Sequence, residues 1–256
     1  MPPRFYAPNL DITQTQVTLP VGESQHLARV LRLDNGDGVE VFDGRGLLMR
    51  GEVRRASPVG SVLDLIAKAS PQPEAPHPLV VCAALLKGDA MDAVIRDATV
   101  LGAKAVMPLT TARTNVPVRH ADHGRLHDRW QRVAVAAAKQ CGRAHLPVLA
   151  DVQSFTDALQ TSEWAAWQRR LLVEPAHTVG LKGHPVGHPL TTVDAAPFVM
   201  ICGPEGGWTP AEVEASQAAG WTGWSLGPFT LRAEQVTLAA LAVVRYAWFV
   251  RGDGAG

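Results

Sequence analysis

Residues 198–212 have the sequence FVMICGPEGGWTPAE, and this stretch decides the fold class. Its first five residues, Phe198–Cys202, form an apolar run of strand length. A loop with three glycines follows, and Thr209, Pro210 and Glu212 then have the types and spacing of a helix N-terminus with a capping box. Such a strand, loop and helix predict an open α/β sheet, in which ligands bind beyond the carboxyl ends of the strands. We therefore expect a binding loop here rather than an ordinary tight turn.

A second loop follows the next predicted strand and again leads into a helix. It has the sequence SLGPFTLR over residues 225–232. Two such loops at one sheet edge can enclose a small molecule between apolar walls and backbone hydrogen-bonding groups. Neither loop contains the Gly-Lys-Ser/Thr of a phosphate-binding P-loop, which disfavours a nucleotide-dependent hydrolase. Arg232 stands at a helix entrance, where the helix dipole disfavours a cation, so a phosphate, a base edge or Glu234 is expected beside it.

A proline-rich segment, SPQPEAPHP at residues 70–78, predicts a boundary between domains at 1–72 and 78–252. Before this segment the pattern is that of a small β-barrel or sandwich. After it the pattern is that of a mostly parallel α/β sheet. That sheet begins with a strand at 79–86, a helix capped by Asp89 and closed by Gly102, and a strand at 104–109. The first part is predicted to contain strands at 39–42, 47–53 and 61–68 and a helix at 23–31. The second continues with helices at 122–141, 154–168, 210–219 and 233–249 and strands at 146–149, 170–174, 198–202 and 222–226.

Charge is balanced over the whole chain but concentrated in its middle. Lys+Arg and Asp+Glu both number 24, whereas residues 75–150 carry 10 basic and 5 acidic side chains and five of the nine histidines. Such a local excess can mark a nucleic-acid surface. Helix 122–141 places much of the charge on one face, which favours a phosphate-binding stripe and an ordinary solvated face about equally. The basic residues within that arc are Arg125, Arg129, Arg132, Lys139 and, if the helix extends to it, Arg143.

Cysteine and hydropathy patterns indicate a protein of a reducing cytoplasm. Cys82, Cys141 and Cys202 are odd in number and far apart, which disfavours a disulfide framework or a zinc site. His184 and His188 lie in a Gly/Pro-rich loop without a nearby carboxylate or thiol, so we expect no metal there. No signal peptide and no membrane span are expected from the sequence.

Together these motifs resemble those of the ribosomal RNA small subunit methyltransferase E family of the SPOUT superfamily. The cofactor end of that family is similar to residues 203–207, Leu226-Gly227-Pro228 and Leu231-Arg232. The likeness extends over nearly the whole chain. Its other elements are Arg4-Phe5, residues 26–32 (HLARVLR), Asp43-Gly44-Arg45-Gly46, Lys87-Gly88-Asp89, Pro108-Leu109, Arg113 and residues 140–143 (QCGR).

The resemblance implies a PUA-like β-barrel that helps to hold RNA and a C-terminal α/β domain with a deep trefoil knot. It implies a cytoplasmic homodimer that uses S-adenosylmethionine, without a metal, to methylate N3 of one uridine in the 16S RNA of the small ribosomal subunit. The alternative is a non-catalytic RNA-binding protein that retains the ligand pocket.

The family's functional positions carry over onto matching residues of this chain. The cofactor contacts implied are Leu172, Val173, Glu174, Gly203, Pro204, Glu205, Gly206, Gly207, Leu226, Gly227 and Leu231. The catalytic candidates are Arg232, opposite the reacting base, and Glu205 or Glu234 as the proton acceptor. The RNA contacts implied are Arg4, Arg29, Arg32, Lys87, Arg113, Arg129, Arg132 and Arg143.

Two positions depart from the family pattern. After Leu231-Arg232 the family usually has x-Glu-Thr-Ala, where this chain has Ala233-Glu234-Gln235-Val236, and the usually acidic position before Gln140 is Lys139. The first departure falls on the helix predicted to carry the active site.

Overall fold

The computed structural model describes residues 2–116, 123–174 and 193–252. Two compact units make up the fold: Met1–Glu74 with Val135–Leu146, and Ala75–Ala134 with Pro147–Gly256. The division after Glu74 falls within the proline-rich segment. Residues 135–146 lie with the first unit because Ala138 and Ala144 join the apolar cluster around Phe42.

The first unit is built on a five-stranded sheet. Its strands are β1 (Arg4–Tyr6), β2 (Gln16–Thr18), β3 (Gly38–Phe42), β4 (Leu48–Arg55) and β5 (Val62–Lys68), in the spatial order β1-β3-β4-β5-β2. The pair β1–β3 is parallel and the other pairs are antiparallel. The three predicted strands are confirmed, whereas β1 and β2, three residues each, are too short to give a periodic signal.

The turn between β3 and β4 is held by one carboxylate. Asp43 Oδ1 accepts hydrogen bonds from the backbone amides of Arg45 (2.7 Å) and Leu47 (3.0 Å). β3 and β4 therefore form an antiparallel hairpin.

The helix predicted at 23–31 consists of α1 (Val21–Gln25) and a π-helical turn, His26–Leu31. The turn ends at Arg32, whose φ of 53° lies in the left-handed region that non-glycine residues seldom adopt. The side chains of Arg29 and Arg32 are both exposed.

One carboxylate connects three parts of the first unit. Glu23 of α1 pairs with Lys139 Nζ at 3.1 Å (Oε1) and 2.9 Å (Oε2) and accepts a hydrogen bond from the Tyr6 amide. The side chain of Lys139 is only 16% exposed and that of Glu23 only 15%. Lys139, the basic residue at a usually acidic position, thus has a structural partner inside the protein.

The second unit contains a parallel sheet in the order β12-β10-β11-β6-β7-β8, with β9 also pairing with β7. Pairing is parallel throughout, as predicted. The order brings β10, β11 and β12 side by side at one end of the sheet. The strands are β6 (Leu79–Ala84), β7 (Ala105–Thr110), β8 (Val148–Leu149), β9 (Gln153–Ser154), β10 (Gln168–Leu172), β11 (Phe198–Cys202) and β12 (Thr222–Trp224).

Most of the predicted helices are present in the described residues. They are α2 (Ala90–Val100), α3 (His123–Cys141), α4 (Phe155–Leu159), α5 (Pro210–Ala218) and α6 (Ala233–Val250).

Two details of the helix predictions are wrong. The helix expected at 154–168 ends at Leu159 and is followed by a 3₁₀ turn, Ser162–Trp164, because Trp164 is buried in the core and packs edge-on against Trp221. Asp89 occupies the N-cap position of α2 as predicted, but its side chain makes no capping hydrogen bond. Its carboxylate instead pairs with Arg129 at 2.6 Å.

Among the described residues, one helix, α6, has the length and apolar composition of a membrane span. It packs against α2 and β11, and its Leu241, Val244 and Trp248 are buried in this fold. A core helix of a globular domain meets the same criteria. Leu238, Tyr246, Phe249 and Val250 remain exposed on it.

We expect the Glu23–Lys139 pair to stabilise the first unit measurably. Glu23→Gln and Lys139→Met should each lower the free energy of unfolding by about 2 kcal/mol, because each leaves a mostly buried charge without its partner. Chemical denaturation of both variants and of the double variant measures their coupling. The control is Asp64→Asn, which removes an ion pair with Arg54 whose side chains are 43% and 59% exposed and should cost less than about 0.5 kcal/mol. Equal effects of Glu23→Gln and Asp64→Asn would contradict the prediction.

Candidate functional site

A cavity of about 500 Å³ lies where β10, β11 and β12 end. That volume is in the range of small-molecule sites, and the position is where parallel sheets bind ligands. Three segments line it: 172–174 after β10, the glycine loop 203–208 after β11, and 225–236 after β12. The lining residues are Leu172, Val173, Glu174, Gly203, Pro204, Glu205, Gly207, Trp208, Ser225, Leu226, Phe229, Thr230, Leu231, Arg232, Ala233, Glu234 and Val236.

The cavity brings together most of the residues expected from the sequence. All of the expected cofactor contacts line it except Gly206 and Gly227, and the catalytic candidates Arg232, Glu205 and Glu234 line it as well. Gly227 has a φ of +129° and open space where a side chain would be, so it serves the loop conformation. Gly206 faces Arg113 on the other side of the loop.

Sequence reasoning missed several lining residues. Trp208 is the last residue of the glycine loop, and a large aromatic side chain directly after two glycines was the available signal. Phe229 is 82% exposed although it lines the cavity. Ser225 and Thr230, like Phe229, belong to the second loop predicted from the sequence but were not singled out within it. Ala233 and Val236 follow that loop and gave no signal of their own.

Trp208 anchors the glycine loop to the neighbouring strand. Its indole Nε1 donates to the carbonyl of Leu172 at 2.7 Å, and its ring lies 5.0 Å from that of Phe155. A Cβ on Gly203 would lie 2.9 Å from this indole, which explains the glycine at the end of β11. The ring therefore fixes the distance between the first two lining segments.

The backbone conformation of Gly207 and the space around its Cα are both suited only to glycine. Its φ is +67°, and an added Cβ would lie 2.7 Å from Glu174 Oε1. A side chain here would strain the loop and displace the carboxylate into the cavity.

The helix after the loop begins as predicted. Thr209 Oγ1 accepts from the Glu212 amide at 3.3 Å, and Glu212 Oε2 accepts from the Thr209 amide at 2.9 Å, which confirms the capping box. Glu212 Oε1 also accepts from the Ala112 amide at 2.8 Å. The loop after β7 is thereby tied to the start of α5.

Three carboxylates give the cavity a negative character. Glu174, Glu205 and Glu234 all line it, against a single cation, Arg232. Glu205 Oε1 accepts a hydrogen bond from the Lys87 amide at 3.1 Å. A ligand with positive charge is therefore favoured within these walls.

Arg232 is an exposed cation at the entrance of α6. Its amide donates to Gln235 Oε1 at 3.2 Å, so Gln235, a departure from the family pattern, closes the helix N-terminus. Within the part of the chain that the structure describes, no carboxylate lies within 4.0 Å of its guanidinium. The sequence analysis expected a phosphate, a base edge or Glu234 beside Arg232, and in this structure Glu234 does not pair with it.

Burial makes the nearby thiols unreactive. Desolvation raises the pKa of Cys202, the residue before the glycine loop, to about 12, despite a hydrogen bond with Thr237 that acts in the opposite direction. Burial likewise raises the pKa of Cys82 well above its ordinary value. Neither thiol is a nucleophile at neutral pH.

Two of the arginines expected to grip RNA are buried. Arg4 is 5% exposed, donates to the carbonyl of Ala138 at 3.2 Å and pairs with Glu40 at 3.4 Å. Desolvation lowers the pKa of Arg4. Arg143 is 8% exposed and pairs with Glu74 through Nε at 2.8 Å. The expectation that these two side chains contact RNA conflicts with their burial.

The basic face predicted on α3 is largely neutralised by internal partners. Arg129 pairs with Asp92 and Asp89 at 2.7 and 2.6 Å, and the hydrogen bonds that it donates to these carboxylates, Asp92 foremost, raise its pKa. Arg132 is exposed and bonds to the carbonyl of Asp128 in its own helix. The structure thus supports the solvated-face interpretation for much of this helix.

Arg113 contacts the glycine loop rather than open solvent alone. Its Nη1 donates to the carbonyls of Gly206 at 2.8 Å and Trp208 at 3.3 Å.

Among the residues described there is no group of three or more potential metal ligands, and His184 and His188 lie outside the described residues.

Comparison with known proteins gives consistent matches along the chain. The family model for an RNA methyltransferase domain matches residues 73–245, and that for an RNA methyltransferase PUA domain matches residues 19–58. Ribosomal RNA small subunit methyltransferase E of Synechocystis is 34% identical over 91% of this chain and 74% of that protein. The enzyme of the same name from Bacillus subtilis is 28% identical over 96% and 94%.

A solved structure supports the same relationship. The crystal structure of a ribosomal RNA small subunit methyltransferase E from Neisseria gonorrhoeae, bound to S-adenosyl methionine, superposes with a TM-score of 0.81 at 27% identity. It covers 97% of this chain and 98% of that one. The chain therefore belongs to the ribosomal RNA small subunit methyltransferase E family.

Proposed function

We propose that this protein uses S-adenosylmethionine to methylate N3 of one uridine in the 16S RNA of the small ribosomal subunit. The observation that carries the proposal is the cavity at the ends of β10, β11 and β12, which gathers the glycine loop, three carboxylates and Arg232. The relatives' names supply the substrate class.

The walls of the cavity fit S-adenosylmethionine in size, charge and shape. This cofactor carries a sulfonium and an ammonium cation, and Glu174, Glu205 and Glu234 are the carboxylates that line the cavity. Leu172, Leu226 and Leu231 provide apolar contacts. The absence of a side chain at Gly207 leaves the Glu174 carboxylate in place at the wall.

The reaction requires a nucleophile that uridine does not offer in its neutral form, because N3 carries a proton. When bound, S-adenosylmethionine supplies a methyl group that its sulfonium already activates. Arg232 at the cavity entrance stabilises the uracil anion that forms when the proton leaves. Glu205 and Glu234 are the two carboxylates that can accept that proton, one held by the Lys87 amide and one in the first turn of α6.

The outer part of the site has the groups that a nucleobase needs. Phe229 presents an exposed ring at the cavity, and Arg232 lies three residues along the same segment. Aromatic rings stack on bases, and arginine contacts both phosphates and base edges. RNA is held further by exposed cations of the two units, for which we propose Arg29, Arg32, Lys87 and Arg132.

Assembly and location are part of the same proposal. We expect residues 1–72 to act as the PUA-like RNA-holding domain and 78–252 as the SPOUT domain with its trefoil knot. The exposed Leu238, Tyr246, Phe249 and Val250 of α6 support a homodimer, since such apolar side chains mark association surfaces. A substrate in the ribosome places the protein in the cytoplasm.

Deletion of the gene should remove one N3-methyluridine from 16S RNA. Mass spectrometry of nuclease digests compares the parent strain, the deletion strain and deletion strains complemented with the wild-type gene or with the Arg232→Ala variant. Restoration by the wild-type gene alone is the expected result. An unchanged N3-methyluridine content after deletion would refute the uridine assignment.

Gly207→Ala should weaken S-adenosylmethionine binding by at least about tenfold. Its Cβ meets Glu174 and the loop must leave its left-handed conformation, so the wall of the cavity shifts. Isothermal titration calorimetry measures the affinity. Gly36→Ala is the matched control, because Gly36 also has a positive φ, +92°, but nothing lies within 4 Å of the added atom. Wild-type affinity in Gly207→Ala would argue against this wall as the cofactor site.

Arg232→Ala should lower kcat by roughly 10²–10³-fold, the range found when one group that stabilises a developing anion is removed. S-adenosylmethionine affinity should change little, because the proposed role concerns the base. Single-turnover methylation of 16S RNA and calorimetry separate the two effects. Arg232→Lys, which keeps the charge, should retain part of the rate. Native turnover by Arg232→Ala would remove Arg232 from the mechanism.

A further inference from the structure

The side chain of Arg113 lies along the outer surface of the glycine loop. It is not part of the cavity lining, and its Nη1 reaches the carbonyls of Gly206 and Trp208 at 2.8 and 3.3 Å. A Cβ on Gly206 would lie only 3.1 Å from Arg113 Cβ, so the stem of the arginine also packs against the loop backbone. The loop is thus held from behind by a residue of the neighbouring β7–α3 connection.

These two hydrogen bonds fix the orientation of two peptide groups. The carbonyl of Gly206 and the amide of Gly207 belong to one planar unit, and that amide donates to the Pro204 carbonyl at 3.0 Å. The carbonyl of Trp208 shares a plane with the Thr209 amide, which donates to Glu212 Oε2 at 2.9 Å. Each of the two planes is therefore held at both its oxygen and its nitrogen.

Fixing these planes matters because the loop is rich in glycine. Gly203, Gly206 and Gly207 occupy three of five successive positions, and glycine backbones lose the most conformational freedom when they become ordered. Five residues of this loop line the cavity. If the loop were free, a ligand would have to order it on binding, at the expense of affinity.

We propose that Arg113 is a positioning residue that preorganises the glycine loop for the cofactor, rather than a cation that grips RNA. The inference rests on the proposed function, namely that the cavity binds S-adenosylmethionine. Arg113 acts through the carbonyls of Gly206 and Trp208 and does not touch the cofactor itself. Its companion contact, the Ala112 amide with Glu212 Oε1 at 2.8 Å, ties the same connection to the start of α5.

The first test measures S-adenosylmethionine affinity by calorimetry in the absence of RNA. Arg113→Ala should bind about tenfold more weakly, the size expected for losing a hydrogen bond from a charged donor. Arg113→Gln, which keeps an amide donor without the charge, should lose less. Arg96→Ala is the matched control, because Arg96 is also an exposed arginine and its guanidinium bonds to Asp97 of its own helix, α2. This variant should stay within twofold of the wild type.

The second test asks whether Arg113 contributes to RNA binding. The affinity for a 16S RNA transcript is measured over a range of salt concentrations in wild type and Arg113→Ala. A phosphate-binding cation lowers the salt slope by about one when removed, whereas a positioning residue leaves it unchanged. Unchanged cofactor affinity together with a reduced salt slope would overturn the proposal in favour of RNA contact.

A loss of fold is distinguished by two further measurements. Circular dichroism and thermal unfolding show whether Arg113→Ala is native, and added guanidinium ion at millimolar concentration should restore part of its cofactor affinity. A general loss of structure would not be rescued in this way. Arg113→Lys cannot reproduce the planar guanidinium, so it should bind the cofactor no better than Arg113→Gln. Full affinity in Arg113→Lys would show that charge alone is needed and would overturn the proposal.

The outcome also separates this inference from the proposed function. Wild-type protein that fails to bind S-adenosylmethionine would overturn both. If the wild type binds S-adenosylmethionine and Arg113→Ala binds it equally well, only the role of Arg113 would be overturned.

Discussion

The hydrogen bond from the indole of Trp208 to the carbonyl of Leu172, 2.7 Å long, is the contact on which the site depends. It joins the glycine loop after β11 to the end of β10, and these are two of the three walls of the cavity. The indole is buried, so a lost partner would leave an unsatisfied donor in the core. Gly203 and Gly207 fit around the same arrangement: Gly203 leaves room for the indole, and Gly207 leaves room for Glu174 on the adjacent segment after β10.

Much of this region follows from sequence because its elements have local causes. The capping box at Thr209 and Glu212, the buried strand before it and the glycines between them are each set by neighbouring residues, and all occur as predicted. The short strands β1 and β2 could not be predicted, since three residues carry no period and depend on partners elsewhere in the sheet. Trp164 shows the opposite failure, where burial against Trp221 ended a helix that the local pattern would have continued.

The positions of basic residues in the sequence were a poor predictor of which side chains are available to bind RNA. A count of basic residues in the middle of the chain favoured an RNA surface, yet Arg129, Lys139 and Arg143 all have carboxylate partners within the protein. The sequence gives no indication of these pairs, because the partners are 37, 116 and 69 residues away. Only three-dimensional packing shows which cations remain for a ligand, and Arg29, Arg32 and Arg232 are among those that stay exposed.

The distribution of charge within the cavity also constrains its chemistry. Carboxylates on all three lining segments favour a cationic ligand, but the same carboxylates oppose the anion that uracil becomes when N3 loses its proton. A cation is therefore needed on the side where the base enters. In the proposed mechanism Arg232 meets this need: it is exposed, has no carboxylate within 4.0 Å among the described residues and begins the helix that carries Glu234. Gln235 accepts a hydrogen bond from the backbone amide of Arg232, so the residue that departs from the family's sequence still satisfies the N-terminus of this helix.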